Sequence, residues 1–419
     1  MITDAAVVEE DSDDRPGPPK RRRGVFFLGP AFVAAVAYVD PGNFATNFSA
    51  GAVHGYALAW VIVLADVMAI VVQYLAAKAG IATGMSLPQL CGLHFRRRTN
   101  AVLWAQAELV AMATDLAEFV GAALGLYLLF GIPLFAAGLV TAVVSFVLLG
   151  MQSRGYRRFE IAIVALLCLV GGGFGVDLVL VGGADPAALG AGMLPRIDGV
   201  DELTLAVGII GATVMPHAIY LHSALQARRV QSLDGAGRRR LARANAWDCV
   251  LGMGSAGVVN LSMLAVAAVL ASRSATPLVG DLIAIHGELA RLVGGLAALA
   301  FAVALAASGL ASSGVGTYAG QVVMGGFMGW RPPLLLRRLV TMAPSLVVLG
   351  SGVSTTGALV VSQVVLAFGI PFALVPLVRL TADSAVMGRL VNRRRTTVAA
   401  WVVAVSITVL DAVLVASLV

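Results

Sequence analysis

The sequence predicts an all-α polytopic membrane protein of eleven transmembrane helices, and three observations predict it. Hydrophobic residues make up 59% of the 419 and charged residues only 12%, where a soluble domain carries about 25% charged residues. The apolar runs are continuous and near the ~20 residues that a helix needs to cross a bilayer. A β-barrel would instead show short alternating segments. Third, the basic residues collect in alternate loops, which is how cytoplasmic loops are marked in polytopic proteins. The length permits a single transmembrane domain, residues 25–419, with little room for soluble modules.

Residues 1–24 begin acidic (Glu9, Glu10, Asp11, Asp13, Asp14) and end in Pro16-Gly17-Pro18-Pro19-Lys20-Arg21-Arg22-Arg23. This composition predicts a disordered cytoplasmic tail with a membrane-proximal basic cluster. No cleavable signal peptide is expected, because the next apolar segment is too long and lacks a small-residue cleavage site. Eleven spans follow, at about 25–52, 57–81, 101–130, 132–150, 159–182, 203–229, 246–271, 292–323, 335–351, 354–377 and 397–418.

With the N-terminus inside, the inner segments collect Arg96-Arg97-Arg98, Arg154, Arg157, Arg158, Arg238-Arg239-Arg240, Arg243, Arg331, Arg389 and Arg393-Arg394-Arg395. The outer loops hold only Arg196, Arg273 and Arg291 of 29 Lys and Arg. That asymmetry predicts the orientation. It also accounts for the net charge of +6 without nucleic acid as a partner. Cys91, Cys168 and Cys249 lie too far apart to suggest a disulfide framework or zinc site.

Span one is interrupted by Asp40-Pro41-Gly42-Asn43. Proline disfavours helical geometry at the residue before it, and glycine tolerates almost any backbone. A carboxylate at membrane depth is costly, so it marks a functional site. Span six carries a second interruption, Gly211-Ala212-Thr213-Val214-Met215-Pro216-His217. Broken helices at matching positions in two successive groups of five point to a secondary transporter built from inverted repeats, with a site near the midplane. Span eleven would lie outside the repeats.

Asp40, Asn43 and Met215 form the sharpest constellation. A carboxylate and an amide oxygen suit any divalent cation, whereas a thioether is soft and suits transition metals rather than Ca²⁺ or Mg²⁺. Unwound carbonyls near Ala37 and Ala212 could complete the shell. A lone methionine is usually a core gap-filler, and Asp40 has an alternative role as the helix N-cap after the break. His217 and His222 follow the second break as candidates for a proton path or for helix–helix hydrogen bonds.

Span three carries Glu108, Asp115 and Glu118 on one broad helical face. Three carboxylates there cannot all be cheaply ionised. They read either as a proton relay or as a static salt-bridge set, with Arg229 and Arg338 as candidate partners. Asp66, Gln73, Asp177, Asn260 and Gln363 could line a path or bridge helices, and Asp411 reads as a packing residue. The serines and glycines of span eight, Ser308 to Gly320, read as small-residue helix contacts. No enzyme is expected, because no Ser/His/Asp order, HExxH or P-loop is present.

With these residues assembled, the chain resembles the Nramp (natural resistance-associated macrophage protein) family of proton-coupled divalent metal transporters. The resemblance rests on Asp40-Pro41-Gly42-Asn43, on Met215-Pro216-His217 with Tyr220-Leu221-His222-Ser223, and on Ala113-Thr114-Asp115-Leu116-Ala117-Glu118. Ala77 to Gly84 and Gly316 to Gln321 add to it.

The resemblance implies a LeuT-like fold, with spans one to five and six to ten as inverted repeats. It implies metal ligation by Asp40, Asn43 and Met215, with the Ala37 and Ala212 carbonyls and Gln363 contributing as conformation changes. It further implies that Asp40, His217, Asp115 and Glu118 carry or gate protons, with Arg338 and Arg229 continuing inward. The methionine resembles the manganese- and iron-transporting branch. Four positions depart from the family pattern: Asp66 for a neutral residue, Ala218-Ile219 for Asn-Leu, and Gly325 for a frequent Glu.

The expected function is import of Mn²⁺ and Fe²⁺ with protons, by alternating access, with no cofactor. The same O/N/S shell accommodates Co²⁺, Cd²⁺ and Zn²⁺. The expected setting is a bacterial plasma membrane, with the lipid bilayer as the surrounding partner and a monomer as the functional unit. The rival readings are a same-fold symporter of amino acids or other organic solutes, and a non-transporting sensor or channel.

Overall fold

The computed structural model describes residues 30–152, 156–231, 233–329 and 333–418. The expected tail, residues 1–24, lies outside the described residues, as do Arg154 and Arg331. Span one is two helices, α1 (Pro30–Ala37) and α2 (Pro41–His54). After them come α3 (Ala59–Thr83), a short α4 (Leu87–His94), α5 (Arg97–Phe130), α6 (Leu134–Gln152) and α7 (Tyr156–Leu180). A short α8 (Pro186–Ala191) precedes the second broken span, α9 (Val200–Thr213) and α10 (Pro216–Arg229). The remainder is α11 (Gly235–Arg273), α12 (Leu282–Leu292), α13 (Gly295–Phe327), α14 (Leu334–Ser351), α15 (Thr355–Ala382), α16 (Ser384–Met387) and α17 (Arg394–Leu418).

The chain is an all-α polytopic membrane protein. Among the described residues seven segments are long and apolar enough to cross a membrane: α3, α5, α9 with α10, α11, α13, α15 and α17. The other expected span positions fall on α1 with α2, α6, α7 and α14. On α17 the exposed Val402, Val405, Val409 and Val413 recur at helical spacing, an apolar stripe suited to lipid.

Two features differ from the sequence expectation. α11 begins at Gly235 rather than near residue 246, because Asp234 caps it, with Oδ1 accepting from Gly237 N at 2.6 Å. Its first turns carry Arg238 to Arg243, which no apolar window registers. The short helices α4, α8, α12 and α16 were also invisible to apolar length. Each follows a capping residue, Ser86, Asp185, Asp281 or Asp383.

The two broken spans lie at the centre. Pro41–Ala52 of α2 and Pro216–Ala227 of α10 are buried throughout, enclosed by α3, α5, α11, α13 and α15. Close approach of α5 and α13 depends on small residues, since a Cβ at Gly309 would stand 2.6 Å from Ala122 N. On α2 beyond the break, Phe44 and Phe48 pack with Phe174 of α7 and Phe301 of α13, the nearest ring centroids 5.0 Å apart. Offset and edge-on aromatic contacts of this kind hold α2 firmly between its neighbours.

Candidate metal and proton site

Both breaks arise in the same way. Pro41 stands four residues after Ala37, and Pro216 four after Ala212. Proline has no N–H to offer the carbonyl four residues earlier, so the Ala37 and Ala212 carbonyls lose their helical partners. Each proline then opens the next helix, where its missing N–H costs nothing. The other carbonyls of the first break are met by side chains. Asn260 Nδ2 donates to Tyr38 O at 2.9 Å and Ser308 Oγ to Val39 O at 2.5 Å. Ala37 O accepts from none of the described residues.

Asp40 caps α2 with one oxygen and leaves the other free. Oδ1 accepts from Asn43 N at 2.8 Å and from Asn43 Nδ2 at 2.7 Å, while Oδ2 is buried without a partner. Asn43 Nδ2 also donates to Ala212 O at 2.9 Å, so one amide ties the two breaks together. Thr213 Oγ1 stands 3.5 Å from Asn43 Oδ1. Met215 is the residue immediately before Pro216 and is 1% exposed.

Gln363 of α15 presses against both breaks. A Cβ on Gly42 would lie 2.0 Å from Gln363 Nε2, and one on Gly211 would lie 2.0 Å from Gln363 O. Gln363 Oε1 is buried and unpartnered. The structure thus joins Asp40, Asn43 and Ala212 by hydrogen bonds and packs Gln363 against Gly42 and Gly211 beside them, with Ala37 and Met215 at the ends of the same breaks. Among the described residues no three His, Cys, Asp or Glu side chains gather to hold a metal. The candidate set has a single carboxylate.

Gly211 should tolerate no side chain. Gly211→Val is expected to lower the folding stability by roughly 1–3 kcal/mol through overpacking. A thermal melt in detergent beside the wild type would show it, and an unchanged melting temperature would contradict the close approach of α9 and α15.

The candidate proton groups form a second cluster on α5. Asp115 Oδ1 accepts from Arg338 Nη1 at 2.8 Å, both side chains deeply buried, and Arg338 Nη2 also donates to Ser313 Oγ. Glu118 is 1% exposed with neither oxygen partnered, and it lies against Gly316 of α13. His217 Nδ1 stands 3.1 Å from Thr114 Oγ1, and its Nε2 is buried and free. Thr114, Asp115 and His217 therefore connect the second break to the α5 carboxylates.

Other expected residues fall elsewhere. His222 Nδ1 is 2.9 Å from Gln73 Oε1, and Gln73 Nε2 donates to Tyr38 OH. His222 thus braces α3 against the first break rather than meeting the carboxylates. Arg229 is exposed at the end of α10, with no ion pair among the described residues. Glu108 pairs instead with Arg337, at 3.4 Å, a partner the sequence reading missed. Ser308 and Ser313, read from sequence as packing residues, each donate or accept a bond at the site. Asp66 lies against Gly257 of α11. Asp177 and Asp411 are buried with no partner on either oxygen.

Removing one member of the Asp115–Arg338 pair should cost more than removing both. Arg338→Gln is expected to destabilise by about 3–5 kcal/mol, because it strands a buried charge. Adding Asp115→Asn should restore much of that, read from chemical denaturation of the purified variants. Equal losses in the single and double variants would show that the pair is not coupled.

A family model described as "Natural resistance-associated macrophage protein-like" matches residues 31–417. The chain is 50% identical over 418 residues to a divalent metal cation transporter MntH of Deinococcus radiodurans, covering 95% of this chain and 96% of that one. It is 47% identical over 389 residues to the MntH of Bacillus subtilis, covering 93% and 91%. Among solved structures, a manganese transporter of Eremococcus coleocola superposes with a TM-score of 0.81 at 33% identity, over 92% of this chain and 85% of that one. MHP1, a nucleobase-cation-symport-1 family transporter, superposes at 0.60 with 16% identity, a likeness of fold alone. Two proline-broken helices around one carboxylate, in a chain matched from residue 31 to 417, belong to the Nramp family.

Proposed function

We propose that this chain imports divalent transition metal ions, Mn²⁺ and Fe²⁺, together with protons. As an Nramp-family chain it is a transport protein and not an enzyme. The observation that carries the reading is the set of acceptors without donors at the two breaks: Asp40 Oδ2, Gln363 Oε1 and the Ala37 carbonyl. Buried polar atoms are normally paired, and three unpaired oxygens, one of them from a carboxylate, suit a cation. The relatives that carry metal-transporter names support the substrate class.

In this state the Asn43 amide N–H₂ stands in for the cation between Asp40 and Ala212 O. Arrival of a partly dehydrated metal would displace it. Rotation of the amide presents Oδ1, removes the side-chain donor from Asp40 Oδ1 and Ala212 O, and leaves Met215 sulfur as the soft ligand. A shell of oxygens and one sulfur of this kind also admits Co²⁺, Cd²⁺ and Zn²⁺. Metal binding favours the ionised form of Asp40, so a proton carried on its carboxyl would leave toward His217 or on to Asp115 and Glu118. The Asp115–Arg338 and Glu108–Arg337 pairs continue the polar series along α5, and Arg229 ends α10 beyond it. An inward-negative potential favours cation entry by about 2.3 kcal/mol per charge per 100 mV.

Eleven spans, inverted repeats of spans one to five and six to ten, a cytoplasmic N-terminus and a monomeric unit in a bacterial plasma membrane complete the proposal. The arginine asymmetry and the paired proline breaks support it. A same-fold carrier of organic solutes would normally offer helix N–H groups to a substrate carboxylate. Here Asp40 occupies the corresponding end of α2. Mn²⁺ uptake into proteoliposomes, with and without an inward proton gradient, tests the coupling. Uptake that rises with the gradient is expected; uptake indifferent to it would remove the proton from the mechanism.

A further inference from the structure

A cavity of about 410 Å³ opens near the end of α10, and none of the proposed metal ligands lines it. Its polar lining is Arg228, Arg337, Tyr318, Gln321, Gln231, Gln89 and Ser86, with no Asp or Glu among the described lining residues. Two of the lining side chains carry a buried donor without an acceptor. Tyr318 is 6% exposed, and its hydroxyl is buried with no partner. Arg337 Nε is likewise buried and unpartnered, since Glu108 engages only Nη2.

The other groups point the same way. The Arg228 guanidinium lies 5.2 Å from the centre of the Tyr318 ring and has no ion pair among the described residues. Gln89 Oε1 is taken by the N–H and hydroxyl of Ser86, which leaves its N–H₂ to donate. Gly325 and Gly326 put no side chain into the space. The volume falls in the range of small-molecule sites, and arginine forks match phosphate and carboxylate oxygens.

We propose that this cavity binds a small oxyanion of the phosphate or carboxylate class. Arg228 and Arg337 supply charge, and Tyr318 and the glutamine amides supply neutral donors. An anion held there would draw Arg337 away from Glu108, placing it at the end of the carboxylate–arginine series on α5. The proposal uses the metal-transport reading only to call this face cytoplasmic.

The test is isothermal titration calorimetry of inorganic phosphate into the purified full chain, in phosphatidylcholine nanodiscs at constant ionic strength. Saturable binding of one phosphate per chain is expected. Arg228→Gln should weaken it at least roughly tenfold, as loss of a charge-assisted contact does. Tyr318→Phe should weaken it about threefold, and Arg243→Gln, an exposed arginine on α11 outside the cavity, should change it less than about twofold.

Absence of saturable binding to the wild type would overturn the proposal, as would an unaltered affinity in both Arg228→Gln and Tyr318→Phe. Repeating the titration with phosphatidylglycerol in the discs separates the sources. Weaker phosphate binding there would show a lipid headgroup in the same site, and undiminished binding would assign the site to a soluble anion. Mn²⁺ uptake by the same preparation is read separately, so a failed anion site leaves the metal reading intact, and the reverse.

Discussion

Asp40→Ala is expected to reduce Mn²⁺ uptake into proteoliposomes to background. Asp40 is the single carboxylate at the two breaks, and without it a divalent ion would meet only neutral donors in a low-dielectric interior. Alanine also removes the cap that Asp40 Oδ1 provides to Asn43 N, a loss worth about 0.5–2 kcal/mol of stability. Asp40→Asn separates the two effects, because asparagine caps helices as well as aspartate does. The Asn variant should melt near the wild type and still bind Mn²⁺ at least about a hundredfold more weakly, a difference of roughly 2.7 kcal/mol. Near-normal metal affinity in a well-folded Asp40→Asn protein would reduce Asp40 to a structural cap.

Met215→Ala is expected to change selectivity more than rate. A thioether contributes little to binding hard cations but favours transition metals. The variant should keep measurable Mn²⁺ uptake, while Ca²⁺ becomes a better competitor by about tenfold, since the remaining shell is oxygen only. Competition curves of Ca²⁺ against a fixed Mn²⁺ concentration measure this. Ca²⁺ exclusion equal to that of wild type would show that the sulfur sets no part of the selectivity.

The breaks themselves were legible in the sequence. Pro41 and Pro216 inside apolar runs, with Asp40 and Met215 immediately before them, are local signals that need no tertiary information. The same spacing says why the carbonyls of Ala37 and Ala212 in particular are released: each stands four residues ahead of a proline. The charge pairing was less legible. Arg337 and Arg338 are adjacent, so they point about 100° apart on α14. Only the rotation of that helix decides that Arg338 meets Asp115 and Arg337 meets Glu108.

The same limit applies to groups brought from distant helices. Ser308 and Asn260 reach the first break through packing of α13 and α11, and their spacing in the sequence carries no trace of it. Gln363 entered through the family resemblance, and its contact with Gly42 and Gly211 is a tertiary fact. The short capped helices between spans escaped because apolar length is blind to them. His222 has two readings in the sequence, a proton carrier or a helix–helix hydrogen-bond partner. Its partner in the structure is Gln73, a helix away.

The transported ion is proposed to sit between the two proline breaks. Anomalous diffraction at the manganese edge, from crystals of the full chain grown with Mn²⁺, tests it most directly. A single strong peak is predicted within bonding distance of Asp40, Asn43 and the Met215 sulfur, absent in Asp40→Asn. A peak lying elsewhere, or one that persists unchanged in the variant, would contradict the account.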